Sequence, residues 1–534
     1  MSAGMVFGSV RRLFVCATAA FVLVAICFAT SAFAGVIPTN KGPVRGTDTP
    51  AMKEYLGIPY AAPPVGDLRW RPPQPHARWH GPLDATHFGN HCPQPASPFG
   101  TKSDTEDCLY LNVFAPNNGP GKGHTKNLPV MFWIHGGGLA VGESDDYDPT
   151  RLVKQGVIVV TINYRLGLLG FLAHPSLTAE SPDHASGDYG LMDQQAALRW
   201  VKQNITKFGG DPGDVTIFGQ SAGGLSVHAQ LASPLAAGLF HRAIAQSGAY
   251  ALSLPSLASA ESRGTTLAGG ALGCSDQTAA CLRSVPIDTL LANQPTTEGS
   301  VLPNVDGKVL PQSIKAAFDS GQFNRVPVIE GSTHDEFSIF YATNIESVFG
   351  VLPAFFYAPV VSIFLQTVGQ TANPADVLAE YPINNYGNSV ALAVTAIGTD
   401  ALFACPGRRA AQSLAQYVPT RAYEFNDPNV PQVFVPPASF PFHAYHASEL
   451  LSLFDSPQRG GHAPLTPDEE SLAAAMIGYW TQFGKSGDPN SAGAPVWPAF
   501  TSTSDTYQSL VPPTPTPTSG FAADHKCAFW DAHQ

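Results

Sequence analysis

Short, continuous apolar runs recur along the chain, and each ends in a turn that carries glycine, serine or an acidic residue. Continuous rather than alternating runs are typical of strands that are covered on both faces. Helical patterns, such as 193–208 and 468–483, lie between several of these runs. This alternation predicts an α/β fold whose central sheet is mostly parallel and covered by helices on both faces, with the polar turns together at the carboxyl ends of the strands. The runs are 130–134, 157–162, 215–218, 243–245, 326–329 and 421–425.

The first 34 residues have the features of a secretory signal peptide. Arg11 and Arg12 precede an almost wholly apolar run at 13–29, and the sequence Ala-Phe-Ala at 32–34 provides a cleavage site. We therefore expect cleavage after Ala34 and a secreted or periplasmic protein. The alternative is an uncleaved anchor, although the run is slightly shorter than the ~20 residues that a membrane span needs. No later stretch reaches that length without interruption, so we expect no stable membrane span in the mature chain.

Composition excludes several classes of protein. The net charge is −12 and no basic block is present, so nothing in the sequence indicates a nucleic-acid partner or an anionic membrane surface. The 50 glycines and 48 prolines indicate many turns and loops rather than a helical bundle. The proline-rich stretch at 512–517 is followed by too few residues for another domain. Residues 35–534 are therefore predicted to form a single domain.

The cysteines indicate disulfide bonds. Six of them follow the predicted signal peptide, and an even number in an exported chain is typical of a disulfide framework. Proximity along the chain favours two pairs and leaves the third by elimination. No C-x-x-C or H-E-x-x-H pattern is present, so the sequence predicts no metal site. The expected pairs are Cys92–Cys108, Cys274–Cys281 and Cys405–Cys527.

The sequence G-Q-S-A-G at 219–223 lies between a predicted strand, 215–218, and a helical pattern, 223–231. In this context the G-x-S-x-G pattern is typical of a sharp turn that lifts a nucleophilic serine clear of the sheet. Glycine is needed on both sides because the turn is tight and its backbone crowded. Ser221 is therefore the predicted nucleophile. The alternative is an ordinary serine in a glycine-rich turn, and the strand and helix around it argue against that.

A serine nucleophile also needs hydrogen-bond donors for the oxyanion that forms in the transition state. The sequence H-G-G-G at 135–138 follows another predicted strand, and its glycines leave their backbone N–H groups accessible. Gly137 and Gly138 are the predicted donors, with the backbone N–H of Ala222 as a third. The alternative is a plain glycine loop with no role in catalysis.

Five further motifs accompany these two: E-D-C-L-Y-L-N-V at 106–113, N-Y-R-L-G at 163–167, F-G-G-D-P at 208–212, Y-W-T-Q-F at 479–483 and G-D-P-N at 487–490. With them, the chain resembles the type-B carboxylesterase family, which includes secreted esterases, lipases and the cholinesterases. The resemblance covers nearly all of residues 36–531. It implies the α/β-hydrolase fold and hydrolysis of an ester through an acyl-enzyme, with no cofactor.

The same resemblance assigns the partners of Ser221, which the residues alone only narrow. In this fold the chain order is serine, acid, histidine. The family acid is the glutamate of an Asp-Glu pair, which is Glu336 here, with Asp335 as the alternative. The family histidine begins an H-x-x-E pattern, which makes His446 the predicted base, with His443 as the alternative. We therefore expect a catalytic triad of Ser221, His446 and Glu336.

The resemblance also implies two buried ion pairs that hold loops in place. One joins Arg69 to Glu106, and the other joins Arg165 to Asp193. Both are expected to be structural rather than catalytic.

Two departures from the family narrow the substrate. Cholinesterases carry a cation-binding tryptophan in the first disulfide loop, where Phe99 is the only aromatic residue here. Gln220 stands where many relatives have glutamate before the nucleophile. Both changes remove groups that would attract a quaternary ammonium. The prediction is a secreted serine carboxylesterase acting on small, uncharged esters. A lipase acting on longer-chain acylglycerols is the first alternative, and a non-catalytic adhesion module is the second.

Overall fold

A computed structural model describes residues 32–117, 126–294, 301–455 and 464–533. The predicted signal peptide lies outside the described residues, apart from its last three positions. Fifteen strands are described: β1 (Ala32–Phe33), β2 (Ile37–Pro38), β3 (Pro43–Arg45), β4 (Thr47–Asp48), β5 (Met52–Pro59), β6 (Leu83–Asp84), β7 (Tyr110–Pro116), β8 (Leu128–Ile134), β9 (Ile158–Ile162), β10 (Gly210–Gln220), β11 (Arg242–Gln246), β12 (Val328–Thr333), β13 (Thr420–Phe425), β14 (Tyr507–Leu510) and β15 (Thr516–Thr518).

The α-helices lie between and around these strands. They are α1 (Thr150–Val153), α2 (Gly167–Phe171), α3 (Pro175–Glu180), α4 (Tyr189–Asn204), α5 (Ala222–Ala232), α6 (Leu257–Gly269), α7 (Ala279–Ser284), α8 (Ile287–Ala292), α9 (Ile314–Ser320), α10 (Ser338–Tyr341), α11 (Ser347–Phe349), α12 (Tyr357–Thr367), α13 (Pro374–Glu380), α14 (Val390–Thr399), α15 (Cys405–Leu414), α16 (Leu450–Leu453), α17 (Pro467–Ser486), α18 (Phe521–Asp524) and α19 (Cys527–Ala532).

Twelve strands form one sheet in the order β1-β4-β5-β7-β9-β8-β10-β11-β12-β13-β14-β15. All pairings from β9 through β14 are parallel, as the apolar runs predicted. The two edges are antiparallel, which the sequence did not predict. A separate small sheet joins β2, β3 and β6. The prediction of a mostly parallel sheet is confirmed for the centre of the sheet, where the functional turns lie.

Helices cover both faces of the sheet because its central strands are apolar on both sides. Along β8, Val130, Phe132 and Ile134 lie in one hydrophobic core, whereas Met131 and Trp133 lie in the other. Every residue of β9 is buried. A strand buried on both faces needs a continuous apolar run, which is the pattern that the sequence shows.

The helix α17 illustrates how local sequence sets the boundaries of an element. The side chains of Thr466 and Glu469 form a reciprocal capping box at its start, and three acidic residues occupy its first turn. Both features satisfy or offset the unpaired N–H groups of a helix N-terminus. The helix ends at Gly487, whose φ of 77° lies in the left-handed region that glycine adopts readily.

The structure contains the three disulfides in the predicted pairs. Their Cα–Cα distances are 4.9 Å for Cys92–Cys108, 5.7 Å for Cys274–Cys281 and 5.2 Å for Cys405–Cys527. The last bond joins α15 to α19 and so attaches the C-terminal segment to the body of the fold. Disulfides of this kind are typical of extracellular or secretory-type proteins.

Among the described residues, the continuous helical segment Val390–Leu414 is long and apolar enough to cross a membrane. Asp400 interrupts the apolar sequence of this segment. Of its most apolar 18 residues, 72% are buried inside the protein. Its apolar side chains therefore contribute to the core.

Candidate active site

The nucleophile turn connects β10 to α5, as the sequence predicted. Ser221 lies between them with φ 57° and ψ −123°, a backbone conformation that side-chain-bearing residues rarely adopt. Its N–H donates to the carbonyl oxygen of Gln246 at the end of β11, at 2.8 Å. A strained backbone conformation of this kind persists only where the surrounding structure holds it in place. Such residues are frequent at active sites and ligand-binding sites.

Steric crowding explains why glycine occupies positions 219 and 223, on either side of Ser221. A Cβ atom on Gly219 would lie 2.6 Å from the backbone of Gly223 and 2.7 Å from the carbonyl oxygen of Ile134. A Cβ atom on Gly223 would overlap the same oxygen of Ile134. The turn therefore packs directly against the end of β8, and no side chain fits at either position.

His446 and Glu336 lie together beside this turn. The Nδ1 atom of His446 is hydrogen-bonded to Oε2 of Glu336, which is fully buried just after β12. The other carboxylate oxygen of Glu336 accepts from the N–H of Thr333 at 2.8 Å. The rings of Phe340 and Phe403 contact the imidazole, with centroids 4.9 and 5.1 Å away. The orientation of the imidazole is therefore fixed by one carboxylate and two aromatic rings.

The two alternative residues bond elsewhere. Asp335 accepts from Nδ1 of His334 at 2.9 Å and from the N–H of Ala444 at 3.3 Å. His443 is half-buried, and its Nδ1 donates to the carbonyl oxygen of Pro428 at 3.2 Å. The geometry therefore brings together the residues predicted for the triad and places both alternatives outside it.

Gln220 is a site residue whose contact the sequence did not predict. Its Nε2 atom lies 3.1 Å from Nε2 of His446. Since Nδ1 of His446 carries the proton that is shared with Glu336, Nε2 holds the lone pair of the neutral ring. The amide of Gln220 can therefore donate to it. Ser221 directly follows Gln220 in the chain and lines the same cavity as His446.

Ser221 and His446 line one cavity. Gly136, Gly137 and Gly138 line it too, so the glycine loop and Ser221 share one cavity wall. Most of the remaining wall is aromatic or aliphatic: Phe99, Tyr147, Ile339, Phe340, Phe434, Ala447, Leu450, Leu451 and Phe454. A cavity with a few polar groups converging within apolar walls is typical of a site for a small organic ligand.

The glycine loop is held by His135 and Tyr164. Burial lowers the pKa of His135 to about 4, so its ring is neutral, and its Nδ1–H donates to the carbonyl oxygen of Gly136 at 2.9 Å. The rings of His135 and Tyr164 stack at 4.4 Å, and the Tyr164 hydroxyl donates to the carbonyl oxygen of His135. Gly137 and Gly138 have φ values of 96° and 62°, which glycine adopts without strain. Ala222, the third predicted donor, begins α5.

Glu449 is a further buried acid behind His446. Burial, together with the negative charge of Glu336, raises the pKa of Glu449 to about 7. Its Oε1 accepts from the side-chain amide of Gln246 at 3.1 Å. The H-x-x-E pattern contained this residue, but only the folded chain shows that its carboxylate interacts with both Glu336 and His446.

The two expected ion pairs are present. Arg69 makes two hydrogen bonds to Glu106, at 2.6 and 2.7 Å, and Arg165 makes two to Asp193, both at 2.7 Å. Arg69 also donates to the carbonyl oxygen of Val285, so it joins the first disulfide loop to the segment after the second. Two-point contacts of this kind fix the relative position of the joined segments.

Two clusters combine histidine and carboxylate side chains away from the cavity. They were not evident in the sequence because their members come from distant segments. In both clusters the histidine nitrogens are paired with carboxylate oxygens. The clusters are His91–Glu143–Asp145 and His334–Asp524–His525.

Comparison with known proteins agrees with this geometry. A family model described as "Carboxylesterase family" matches residues 34–530. The chain is 35% identical over 486 residues to the para-nitrobenzyl esterase of Bacillus subtilis (strain 168), covering 87% of this chain and 92% of that protein. It is 35% identical over 488 residues to the cocaine esterase of Homo sapiens, covering 86% and 83%. A solved structure of PNB esterase has a TM-score of 0.75 and 32% sequence identity, covering 92% of this chain and 98% of that one.

These matches span nearly the whole chain, and they include both sequence and structure. The sheet with helices on both faces, described above, is the architecture that the sequence predicted. The chain belongs to the carboxylesterase family: it has the α/β-hydrolase fold and is a carboxylic ester hydrolase.

Proposed function

We propose that this protein is a secreted serine carboxylesterase that hydrolyses small, uncharged esters through an acyl-enzyme, with Ser221, His446 and Glu336 as its triad. One observation carries the proposal. Ser221, at a strained strand-to-helix turn, shares an apolar cavity with His446, whose Nδ1 is bonded to the buried Glu336.

The first half of the reaction forms the acyl-enzyme. Nε2 of His446 takes the hydroxyl proton of Ser221 as the serine oxygen attacks the ester carbonyl. Glu336 keeps the proton of the ring on Nδ1 and stabilises the imidazolium. The tetrahedral intermediate collapses when Nε2 returns the proton to the departing alkoxide, which leaves as an alcohol. Water repeats the same steps on the acyl-enzyme and releases the carboxylic acid.

The developing oxyanion needs donors in the same cavity. We assign this role to the backbone N–H groups of Gly137, Gly138 and Ala222. The glycine loop lines the cavity beside Ser221, and Ala222 follows Ser221 at the start of α5, where N–H groups point out of the helix. Loss of a single such donor typically costs ~10²- to 10³-fold in rate.

The cavity wall supports an uncharged substrate. Its side chains are mostly aromatic and aliphatic, and Phe99 is the aromatic residue that the first disulfide loop contributes. Asp146 is the one acidic side chain among the described lining residues. The name of one relative refers to para-nitrobenzyl esters, whose alcohol part is an uncharged aromatic group.

Export and domain organisation belong to the same proposal. We expect the signal peptide to be removed after Ala34, so the single mature domain comprises residues 35–534. Cleavage there would also remove β1, which pairs with β4 at the edge of the sheet. Three disulfides support folding in an oxidising compartment.

Replacing Ser221 with alanine tests the proposal. Loss of a triad nucleophile typically costs ~10⁴-fold or more, so Ser221→Ala should abolish hydrolysis of p-nitrophenyl acetate and covalent labelling by a fluorophosphonate. Ser226→Ala is the matched control, because Ser226 is also buried on α5 but bonds to Gln194. It should retain activity and labelling. More than about a hundredth of wild-type activity in Ser221→Ala would show that another residue is the nucleophile.

A lipase acting on longer-chain acylglycerols is the second candidate. The observation that favours it is a set of exposed apolar side chains at the end of the helical segment Ser338–Phe349, whose first residues line the cavity. A lipase accelerates sharply once its substrate exceeds its solubility limit, whereas an esterase saturates below it. The third sequence-based alternative, a non-catalytic adhesion module, is disfavoured by the presence of the nucleophile, the base and the acid.

A further inference from the structure

The largest exposed apolar side chains are concentrated in one short part of the chain. We call this surface the apolar tip, and its side chains are between 40% and 75% exposed. No charged residue occurs between Glu346 and Asp376. Exposed apolar side chains that are concentrated in this way, rather than scattered singly, mark an interaction site. The apolar tip consists of Val348, Phe349, Val351, Phe355, Phe356 and Ile363.

The tip lies at the bend between two helical segments. Ser338–Phe349 and Ala354–Thr367 meet at 109° across a short break that contains Gly350 and Pro353. The inner side of this hairpin is anchored, since Tyr341, Val361 and Leu365 are buried in the core. The outward side chains are therefore held in place by a packed scaffold.

The same hairpin forms part of the cavity wall. Ile339, Phe340 and Thr343, from the start of the first segment, line the cavity, and Glu336 lies just before that segment. The apolar tip is thus connected to the candidate active site by three turns of one helical segment. A ligand that covers the tip would lie near the cavity.

We propose that the apolar tip docks on a lipid–water interface of zwitterionic or neutral lipid. Together the two segments are long and apolar enough to meet the criterion for a membrane span, but their inner faces are already buried in the protein. The tip is therefore suited to insert into the headgroup and upper acyl region rather than to cross the bilayer. The net charge of −12 disfavours an anionic surface.

A second copy of this chain fits the tip less well. A stable protein–protein interface involves about 20–30 residues on each side. The tip offers six apolar side chains, five of them at or near the bend and Ile363 further along the second segment. Insertion into lipid needs only a few apolar side chains and no complementary protein surface.

Docking would bring esters dissolved in the lipid to the mouth of the cavity. This kinetic part of the inference deepens the proposed function and depends on it, whereas binding to lipid does not. The two are therefore measured separately, as vesicle binding and as hydrolysis.

Vesicle flotation tests the binding. The mature wild-type protein should float with phosphatidylcholine vesicles in a density gradient, and the active-site variant Ser221→Ala should float equally. The variant Phe349→Ser/Phe355→Ser should lose at least about tenfold in partition coefficient, because each buried aromatic side chain contributes more than that on transfer from water. Both side chains are exposed, so its thermal unfolding midpoint should not change.

Val496→Ser is the matched control, since Val496 is 71% exposed but lies outside the tip. It should float like the wild type. All variants except Ser221→Ala should hydrolyse soluble p-nitrophenyl acetate at the wild-type rate, while Phe349→Ser/Phe355→Ser should be slower on a long-chain ester embedded in vesicles. The inference is overturned if the wild type does not float or if the tip variant floats equally. It is also overturned if the substitutions instead convert a dimer to a monomer in sedimentation. Absence of hydrolysis in a wild type that floats would count against the proposed function alone.

Discussion

Two buried histidines, His446 and His525, lie against carboxylates in very different settings. His446 bonds to Glu336 through Nδ1 and faces the side-chain amide of Gln220 through Nε2. His525 bonds to carboxylates on both sides, to Asp400 through Nδ1 and to Glu424 through Nε2, each at 2.6 Å. Nε2 of His446 therefore faces an amide, whereas Nε2 of His525 faces a carboxylate.

The second carboxylate changes what the ring can do. Burial opposes a charge on His525, but Asp400 and Glu424 outweigh it and raise its pKa to about 10. At neutral pH this ring is an imidazolium with no lone pair to accept a proton. The second nitrogen of His446 lies beside an amide, which adds no negative charge there. From this comparison we expect the partner of the second nitrogen, an amide or a carboxylate, to decide whether such a ring can accept a proton.

Replacing the carboxylate that is bonded to Nδ1 of His446 should cause the largest loss of activity. Glu336→Gln should lower kcat/KM by ~10⁴-fold, if this triad behaves like others whose acid has been replaced by its amide. Asp335→Asn, the matched control, should cost far less, because Asp335 pairs with His334 instead. Steady-state kinetics on a p-nitrophenyl ester measure both. Equal losses at the two positions would show that the acid has been assigned wrongly.

Removing the doubly paired imidazole should lower stability rather than activity at the site. His525→Gln leaves two buried carboxylates without their cation and should reduce the free energy of unfolding at pH 7 by about 3–5 kcal/mol. Urea unfolding measures this loss. His443→Gln, at a half-buried histidine bonded to a backbone carbonyl oxygen rather than to two carboxylates, is the control and should lower stability far less.

The pH dependence of the same variant sharpens the comparison. In the folded protein the pKa of His525 rises from 6.5 to about 10, so its stabilising contribution is complete below 6.5 and is lost as the pH rises through about 10. Wild-type stability should therefore fall between pH 7 and 10 more steeply than that of His525→Gln. Burial also opposes a charge on His334, but Asp335 and Asp524 raise its pKa to about 11, above this pH range, so it contributes less to the slope. Identical slopes would show that His525 is not charged in the fold.

Placing a carboxylate beside Nε2 of His446 should have the smallest effect on activity. Gln220→Glu places an acid beside Nε2 and favours the imidazolium, which cannot accept the serine proton. The acid limb of the kcat/KM profile should move to higher pH by about one unit. Gln220→Met keeps the position neutral and should leave the limb in place. A shift of the same size in both variants would show that the charge at position 220 does not control the base.

The sequence predicted the parallel centre of the sheet but not its antiparallel edges. The central strands are continuous apolar runs because they are covered on both faces. In β5, Lys53, Glu54 and Gly57 interrupt the run, and in β7 a buried asparagine does so. That residue, Asn112, bonds to Thr161, Ser144 and the N–H of Gly57. Its polarity is satisfied only by partners that are distant in the sequence.

The residues of the candidate site were likewise predictable from the sequence only where the signal is local. Ser221 was evident from neighbours within a few residues, because its turn is a local structure. Glu336 and His446 are 110 residues apart, so their pairing came from a family resemblance rather than from the residues themselves. The contact of Gln220 with His446 spans 226 residues and had no local signal. The aromatic rings that enclose the imidazole were missed for the same reason.

The glycine-flanked turn has a consequence for how such an enzyme can diversify. The turn that carries Ser221 packs against backbone atoms of β8, β11 and α5, and these contacts are set by the fold rather than by the acyl or alcohol group of an ester. The walls that meet the ester come from other segments, chiefly the hairpin after Glu336 and the stretch around Leu450. Selection can therefore reshape substrate range one wall residue at a time, while the chemistry at Ser221 stays the same.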